Sequence, residues 1–161
     1  MAQPNQRQSI NRRETNSESH DITWDLTVDN LLQLQSWPFK KTCRTSCETS
    51  PTTWNFKMSL TEVRDDGTCS LSVLLERVDS LNLELDAYIW IDICNSNETF
   101  IFPPQSFTKS GMQPGDKIQE TIEITPRTNM GGAIRQNAII FVIVRICNCH
   151  SDSKSASECN N

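Results

Sequence analysis

The chain has 161 residues, of which 36% are apolar and 22% are charged, and its formal net charge is −5. This length suits one domain. The negative charge argues against a general nucleic-acid binder or a binder of anionic membranes, because both need a basic surface. The longest apolar run, residues 138–144, is far too short for a membrane-spanning helix, which needs about 20 residues.

Both ends of the chain are polar. Residues 1–20 contain no apolar residues beyond Met1, Ala2 and Ile10, and residues 150–161 have a similar composition. Such segments bury too little surface to offset their ordering entropy, so we predict two disordered tails that flank one domain at residues 21–149. The N-terminus lacks the apolar segment of a secretory signal peptide, which favours a cytoplasmic or nuclear location.

Within residues 21–149, apolar and polar residues alternate with a period of two, which is typical of β-strands. The pattern predicts strands at residues 22–28, 53–60, 69–76, 84–93, 99–102, 118–124 and 138–146. Asp29 precedes a predicted short helical turn at residues 30–34. The last strand is apolar on both faces, which predicts a central strand covered on both sides.

The turn signals between these strands complete the prediction of fold class. Asp65-Asp66-Gly67 is typical of a hairpin turn between two strands. Trp54 begins a strand with one apolar face, so we predict a structural role in the core. Several short strands separated by turns indicate an all-β protein, an antiparallel β-sandwich of seven or eight strands with Greek-key connections.

Two Trp-bearing segments carry a resemblance to a known family. Residues 22–30, Ile-Thr-Trp-Asp-Leu-Thr-Val-Asp-Asn, resemble the opening strand of a MATH (TRAF-like) domain. Residues 53–60 and 66–75 resemble its central hairpin, and residues 87–95 and 138–146 resemble its later strands. The resemblance implies an eight-stranded sandwich that binds short segments of partner proteins in a shallow groove on one sheet.

In some members of that family a BTB (POZ) domain follows, and the protein presents substrates to ubiquitin ligases. The resemblance therefore implies a non-enzymatic adaptor that recruits protein partners, including for ubiquitination. We see neither a BTB domain nor coiled-coil heptads in this sequence, so we expect a free-standing or truncated module.

The groove of the substrate-adaptor members is not preserved here. Our alignment places Ser72 and Ile89 where those members carry aromatic residues, and Pro114-Gly115-Asp116 where they carry a Trp-Gly-Phe-like segment. A register slip of one residue would instead bring Tyr88 or Trp90 to the second position. The ligand motif of the family should therefore not be carried over.

Tyr88 and Trp90 lie on the strand face opposite its apolar ladder, and large aromatic residues there are good binding anchors. We predict a peptide-binding site at Tyr88 and Trp90, with Ser72 on the neighbouring strand. The alternative is that a loop or neighbouring side chains cover the two rings. The same face carries carboxylates that would favour a partner segment with Lys or Arg: Glu84, Asp86 and Asp92.

Four cysteines and one histidine have the chemistry of zinc ligands. The candidates are Cys43, Cys47, Cys147, Cys149 and His150. Their spacing departs from that of structural zinc pairs, so the pattern predicts no metal site and favours buried thiols.

Catalysis has little support in the sequence. The histidines, His20 and His150, both lie at the boundaries of the predicted tails, so a Ser-His or Cys-His pair inside the domain is hard to build. With five glycines there is no phosphate-binding loop, and we predict no cofactor and no enzymatic activity. The alternatives are a jelly-roll-like assembly subunit and a secreted, disulfide-bonded binding domain, and the oligomeric state stays open.

Overall fold

The computed structural model describes residues 8–16 and 19–149, and in this part the chain forms nine strands, one short α-helix and one 3-10 helix. The strands are β1 (Gln8–Asn16), β2 (His20–Val28), β3 (Phe39–Arg44), β4 (Thr53–Thr61), β5 (Cys69–Arg77), β6 (Leu85–Asn95), β7 (Gln105–Met112), β8 (Lys117–Ile124) and β9 (Ala138–Cys147). Helix α1 is Gln33–Ser36, and the 3-10 helix is Gly131–Arg135. No helix of the described part is both long and apolar enough to span a membrane.

The strands form two antiparallel sheets, which confirms the predicted all-β sandwich, although the described residues hold nine strands rather than seven or eight. The five-stranded sheet has the order β1-β2-β9-β6-β7, and the four-stranded sheet has the order β3-β4-β5-β8. Strands far apart in sequence therefore pair, as β2 does with β9 and β5 with β8. The connections that follow β2, β5, β7 and β8 pass from one sheet to the other.

The core lies between the sheets and is built from the inward half of each alternating strand. Trp24 of the five-stranded sheet stacks on Phe56 of the four-stranded sheet at 5.6 Å between ring centroids, and Phe39 meets both rings edge-on. Trp54 is fully buried, and its indole N–H donates to the Thr52 hydroxyl at 2.8 Å. The predicted structural role of Trp54 is confirmed.

Strand β9 is central, as predicted, but it is not covered on both sides. It lies between β2 and β6, and its inward residues are fully buried. On its outer face Ile139, Phe141 and Ile143 are only half-buried. A strand with two apolar faces can therefore lie in a sheet that packs on one side alone.

The prediction that residues 1–20 are disordered is wrong for Gln8–Asn16, which form β1 and pair with β2 over nine positions. Backbone hydrogen bonds hold an edge strand without an apolar face. Ile10 packs against the core, and the Arg13 guanidinium lies 3.8 Å from the Asp25 carboxylate. The domain thus begins before the predicted boundary at residue 21, and the predicted tail at residues 150–161 lies outside the described residues.

Besides β1, two more strands escaped the sequence prediction, and one predicted strand is absent. Strands β3 and β7 lie at sheet edges and carry few buried side chains: Phe39 and Cys43 in β3, and Met112 in β7. Residues 99–102 form no strand, and only Phe100 makes an isolated bridge, to Cys94.

The predicted hairpin turn joins β4 to β5. The Asp66 carboxylate accepts a hydrogen bond from the Thr68 amide at 2.8 Å, and Gly67 has a φ of 90°. A side chain at Gly67 would also come within 2.7 Å of the Pro126 ring. Glycine is therefore required here for both conformation and space.

The predicted helical turn at residues 30–34 lies later in the chain, as α1 (Gln33–Ser36) after a turn at residues 31–32.

A buried arginine holds the connection between the two sheets at residues 78–84. Arg77, at the end of β5, is fully buried, and its guanidinium lies 3.1 Å from the Asp79 carboxylate. It also donates to three backbone carbonyls: those of Leu81, Leu83 and Met112. A buried charge is costly unless it is paired, so any path of residues 78–84 that broke these contacts would be unfavourable. The contacts of Arg77 therefore fix the path of the chain from β5 to β6.

Candidate functional site on the outer face of the five-stranded sheet

Tyr88 and Trp90 point away from the core, as the alternation of β6 predicts, and both are half-buried. In the sheet, Tyr88 pairs with Arg145 and Trp90 with Ile143 of β9. Phe141, two residues before Ile143 on β9, lies on the same face. We call the group of Tyr88, Trp90, Phe141 and Ile143 the aromatic patch.

The aromatic patch contains a shallow depression rather than a deep pocket. Its volume is about 330 Å³, and it is lined by Tyr88, Trp90, Ile143 and Arg145. Tyr88 and Trp90 are only half-buried, so each keeps an exposed portion. A flat, partly exposed surface of this kind suits an extended segment better than a small molecule, which prefers an enclosed cavity.

Charged groups border the aromatic patch. Arg145 makes two hydrogen bonds to the Asp21 carboxylate, at 2.8 and 3.0 Å, which fix its guanidinium beside Tyr88. The Trp90 indole N–H donates to Asp92 at 2.7 Å. Burial raises the pKa of Asp92 above its usual value, and the hydrogen bond from Trp90 only partly offsets this effect.

The acidic row predicted on this face is present, because Glu84, Asp86 and Asp92 share the outward side of β6 or its start. The Asp86 carboxylate accepts hydrogen bonds from the Gly111 amide at 2.9 Å and from the Asn148 side chain at 2.5 Å. These contacts hold the Asp86 carboxylate at the edge of the face.

The structure does not bring Ser72 to this face. Ser72 lies on β5, in the four-stranded sheet, and pairs with Ser59 and Thr121. Its hydroxyl is 3.0 Å from that of Thr121, beside a polar depression of about 240 Å³ on the opposite side of the sandwich. The expectation that Ser72 neighbours Tyr88 and Trp90 is wrong, because the chain changes sheets between β5 and β6.

The sequence prediction missed the contribution of β9 to this surface. Phe141, Ile143 and Arg145 supply the neighbouring row of the patch, and the sequence signal for them was the apolar outer side of residues 138–146. The apolar outer side of residues 138–146 instead led to the prediction of a strand buried on both faces. The segment Pro114-Gly115-Asp116, aligned with the family's Trp-Gly-Phe-like motif, forms the turn between β7 and β8, with Gly115 at a φ of 90°.

A second group of reactive side chains lies away from the aromatic patch. His20, Cys47 and Cys149 are all buried, and their ligand atoms lie within 4.8 Å of one another. We call this group the thiol–imidazole cluster. Of the cysteines considered for zinc, it includes Cys47 and Cys149, and it adds His20.

The remaining zinc candidates stand outside the cluster. Cys43 is buried in β3, Cys147 is disulfide-bonded, and His150 lies outside the described residues.

The two thiols of the cluster differ in their surroundings. Burial raises the pKa of Cys47, but hydrogen bonds with Ser50, Thr49 and Cys149 outweigh this effect, and the net pKa is below that of an ordinary thiol. Burial and the neighbouring Cys47 raise the pKa of Cys149 to about 12. The cluster thus places a thiol with a depressed pKa beside one with a raised pKa.

Comparison with known proteins adds little to this geometry. No protein-family model matches the sequence, and no curated protein matches it. Among solved structures, an arabinose-bound α-L-arabinofuranosidase is similar with a TM-score of 0.32 and 10% sequence identity, over 84% of this chain. The chain spans 22% of that enzyme's length, and the likeness is too weak to indicate a shared activity.

Proposed function

We propose that this protein is a non-enzymatic interaction module that binds short, extended segments of partner proteins on the outer face of its five-stranded sheet. The aromatic patch carries the proposal, because Tyr88, Trp90, Phe141 and Ile143 offer partly exposed apolar area on a rigid sheet. Aromatic anchors of this kind dominate many protein interfaces. The resemblance to MATH domains supports the same function, since it implies segment binding on one sheet.

The charges around the patch define the class of segment. Glu84, Asp86 and Asp92 border it on one strand, while Arg145 is engaged by Asp21. We therefore propose a partner segment with apolar side chains for the patch and Lys or Arg for the acidic row. Binding should weaken as salt rises, because exposed charges are screened. With a net charge of −5, the proposal includes neither nucleic acid nor an anionic membrane.

Recruitment of partners for ubiquitination and a cytoplasmic or nuclear location are part of the proposal, and both rest on the sequence. Thiols at Cys43, Cys47, Cys69, Cys94 and Cys149 fit a reducing compartment, whereas the disulfide-bonded Cys147 favours the secreted alternative. Counting the thiols modified under native and denaturing conditions, in protein purified without reductant, separates the two. Extensive disulfide bonding would contradict the proposed location.

The test of the binding function is a selection of random peptides on the immobilised full chain, followed by affinity measurements in solution. We expect enriched peptides to combine aromatic or aliphatic residues with Lys or Arg. Tyr88→Ala with Trp90→Ala should weaken their binding by about 2 kcal/mol or more, which is roughly thirtyfold or more in Kd. The matched control is Ser72→Ala with Leu74→Ala on the outer face of the four-stranded sheet, which should leave the Kd unchanged.

Each contrary result identifies a different error. Binding lost in the Ser72/Leu74 variant and kept in the Tyr88/Trp90 variant would place the groove on the four-stranded sheet. Concentration-dependent self-association that the Tyr88/Trp90 variant abolishes would show the patch to be an assembly surface, as in the jelly-roll alternative. Circular dichroism of both variants should match that of the parent protein.

A further inference from the structure

We propose that the thiol–imidazole cluster of His20, Cys47 and Cys149 is a binding site for a zinc ion. This inference is independent of peptide binding and uses none of the residues of the aromatic patch. It departs from the sequence expectation of no metal, which was based on local spacing between cysteines. The cluster is assembled by the fold instead: Cys47 and Cys149 are separated by 102 positions in the sequence, and His20 comes before both.

The separation of the two cluster sulfurs is close to that of two ligands of one tetrahedral zinc ion. Its three ligand atoms lie within 4.8 Å of one another, and the Cys47 and Cys149 sulfur atoms are 3.6 Å apart. Two sulfurs at about 2.3 Å from a tetrahedral zinc would be about 3.8 Å apart. A disulfide would bring them to about 2.05 Å. The pair is thus held at the separation of two ligands to one ion rather than at a bond length.

The donor set selects the kind of metal. Two thiol sulfurs and one imidazole nitrogen are ligands that zinc prefers, whereas calcium and magnesium prefer oxygen ligands. The exposed fractions of His20, Cys47 and Cys149 are 2%, 3% and 1%. Such burial is typical of a structural site, in which a further side chain of the protein would complete the tetrahedron.

The loop that carries Cys47 is already shaped to present its sulfur. The Ser50 amide donates to the Cys47 sulfur at 3.4 Å, and the Thr49 hydroxyl lies 3.7 Å from it. The base of the loop is closed by Thr45 and Thr52, whose backbone hydrogen bond is 2.9 Å long. Hydrogen bonds to a ligand sulfur and a fixed loop are the outer contacts that orient metal ligands.

The position of the cluster gives the ion a structural role. His20 begins β2 of the five-stranded sheet, and Cys149 lies in the turn just after β9 of the same sheet. Cys47 lies in the loop between β3 and β4 of the four-stranded sheet. A zinc ion here would link the two sheets at one end of the sandwich. Because the unfolded chain does not hold these ligands together, bound zinc should stabilise the folded state.

The experiment measures zinc in the full chain, purified under reducing conditions without chelator. Native mass spectrometry and elemental analysis should show one zinc ion per chain. The variants Cys47→Ser, Cys149→Ser and His20→Ala should each lose it. Cys69→Ser and Cys94→Ser are matched controls, because both cysteines are buried thiols outside the cluster, and these variants should keep the ion.

Measurements on the unmodified protein keep the proposal testable if a variant fails to fold. Zinc-edge X-ray absorption should show two sulfur ligands at about 2.3 Å. Removal of the ion by a chelator should lower the Tm, and added zinc should restore it. The proposal is overturned if the reduced protein binds no zinc, if the bound ion has no sulfur ligand, or if the Cys47 and Cys149 variants retain it.

Discussion

Trp54 and Trp90 represent the two environments that a β-sandwich offers to a large aromatic residue. Trp54 is fully buried, whereas Trp90 is half-buried on the outer face. We expect Trp54→Ala to lower the free energy of unfolding by about 3–5 kcal/mol, because it removes a large core side chain and leaves a cavity. Trp90→Ala is the matched control and should cost clearly less. Urea unfolding of both variants measures this, and equal losses would contradict the assigned environments.

The ion pair between Asp79 and the buried Arg77 makes the stability of the fold depend on pH. Burial raises the pKa of Asp79, but hydrogen bonds from Arg77 and from the amides of Thr53 and Leu81 outweigh it, and the pKa is lowered. A carboxylate with a depressed folded pKa stabilises the fold above its unfolded pKa of about 3.9, and this contribution is lost as the pH falls through the folded value. Stability should therefore decline in acid below about pH 4.

The variant Asp79→Asn isolates this contribution. We expect it to be less stable than the parent by about 1–3 kcal/mol at neutral pH, since it weakens hydrogen bonds to a charged group. The difference should shrink as the pH falls below about 4. Urea unfolding at several pH values gives the curve, with Asp65→Asn in the exposed hairpin turn as the control. A difference that stays constant with pH would contradict the pairing with Arg77.

At the scale of elements, β1 is the segment whose order the composition did not indicate. We expect backbone amides of Gln8–Asn16 that face β2 to exchange with solvent more slowly than those of a free peptide of this sequence, because they pair with β2. Hydrogen-exchange mass spectrometry of the full chain measures this. Exchange at the rate of the free peptide would show that β2 is the true edge of the sheet.

The elements that could be predicted are those whose burial follows the strand period. In β4, β5 and β6 buried residues alternate with less buried ones, so sequence and structure carry the same signal. In β7 seven of the eight residues are not buried, and backbone pairing to β6 holds the strand instead. Edge strands of this kind leave no periodic mark, which is also why β1 was interpreted as a disordered tail.

The candidate site could be predicted only where it lies on one strand. The outward direction of Tyr88 and Trp90 follows from the alternation of β6. The expectation for Ser72 came from the alignment with the family's groove, and alternation could not correct it, because alternation gives the face of a strand but not the sheet to which the strand belongs. The thiol–imidazole cluster escaped for a related reason, since the pairing of β2 with β9 brings His20 opposite Ile146, near Cys149. Such pairings cannot be derived from ligand spacing.

At the scale of the whole molecule, the inner faces of the two sheets form the core, and the outer face of the five-stranded sheet carries the proposed binding surface. The four-stranded sheet covers the inner side of β6 and β9, which leaves their outer side free to carry the aromatic patch. Arg77 fixes the connection from β5 to β6, which joins the two sheets. Strand β1 extends the five-stranded sheet at the edge opposite β7. The patch is therefore held by a rigid sheet, which lowers the entropy cost of binding.

The most direct test of the proposed binding face is an NMR titration of the isotope-labelled chain with a selected peptide. We predict that the largest chemical-shift changes cluster on the outward residues of β6 and β9, with the Trp90 indole N–H among them, since it lies in the patch. The indole N–H of Trp54 should barely move, because it is buried and bonded to Thr52. Shifts confined to β5 and β8, around Ser72, would contradict the proposed binding face.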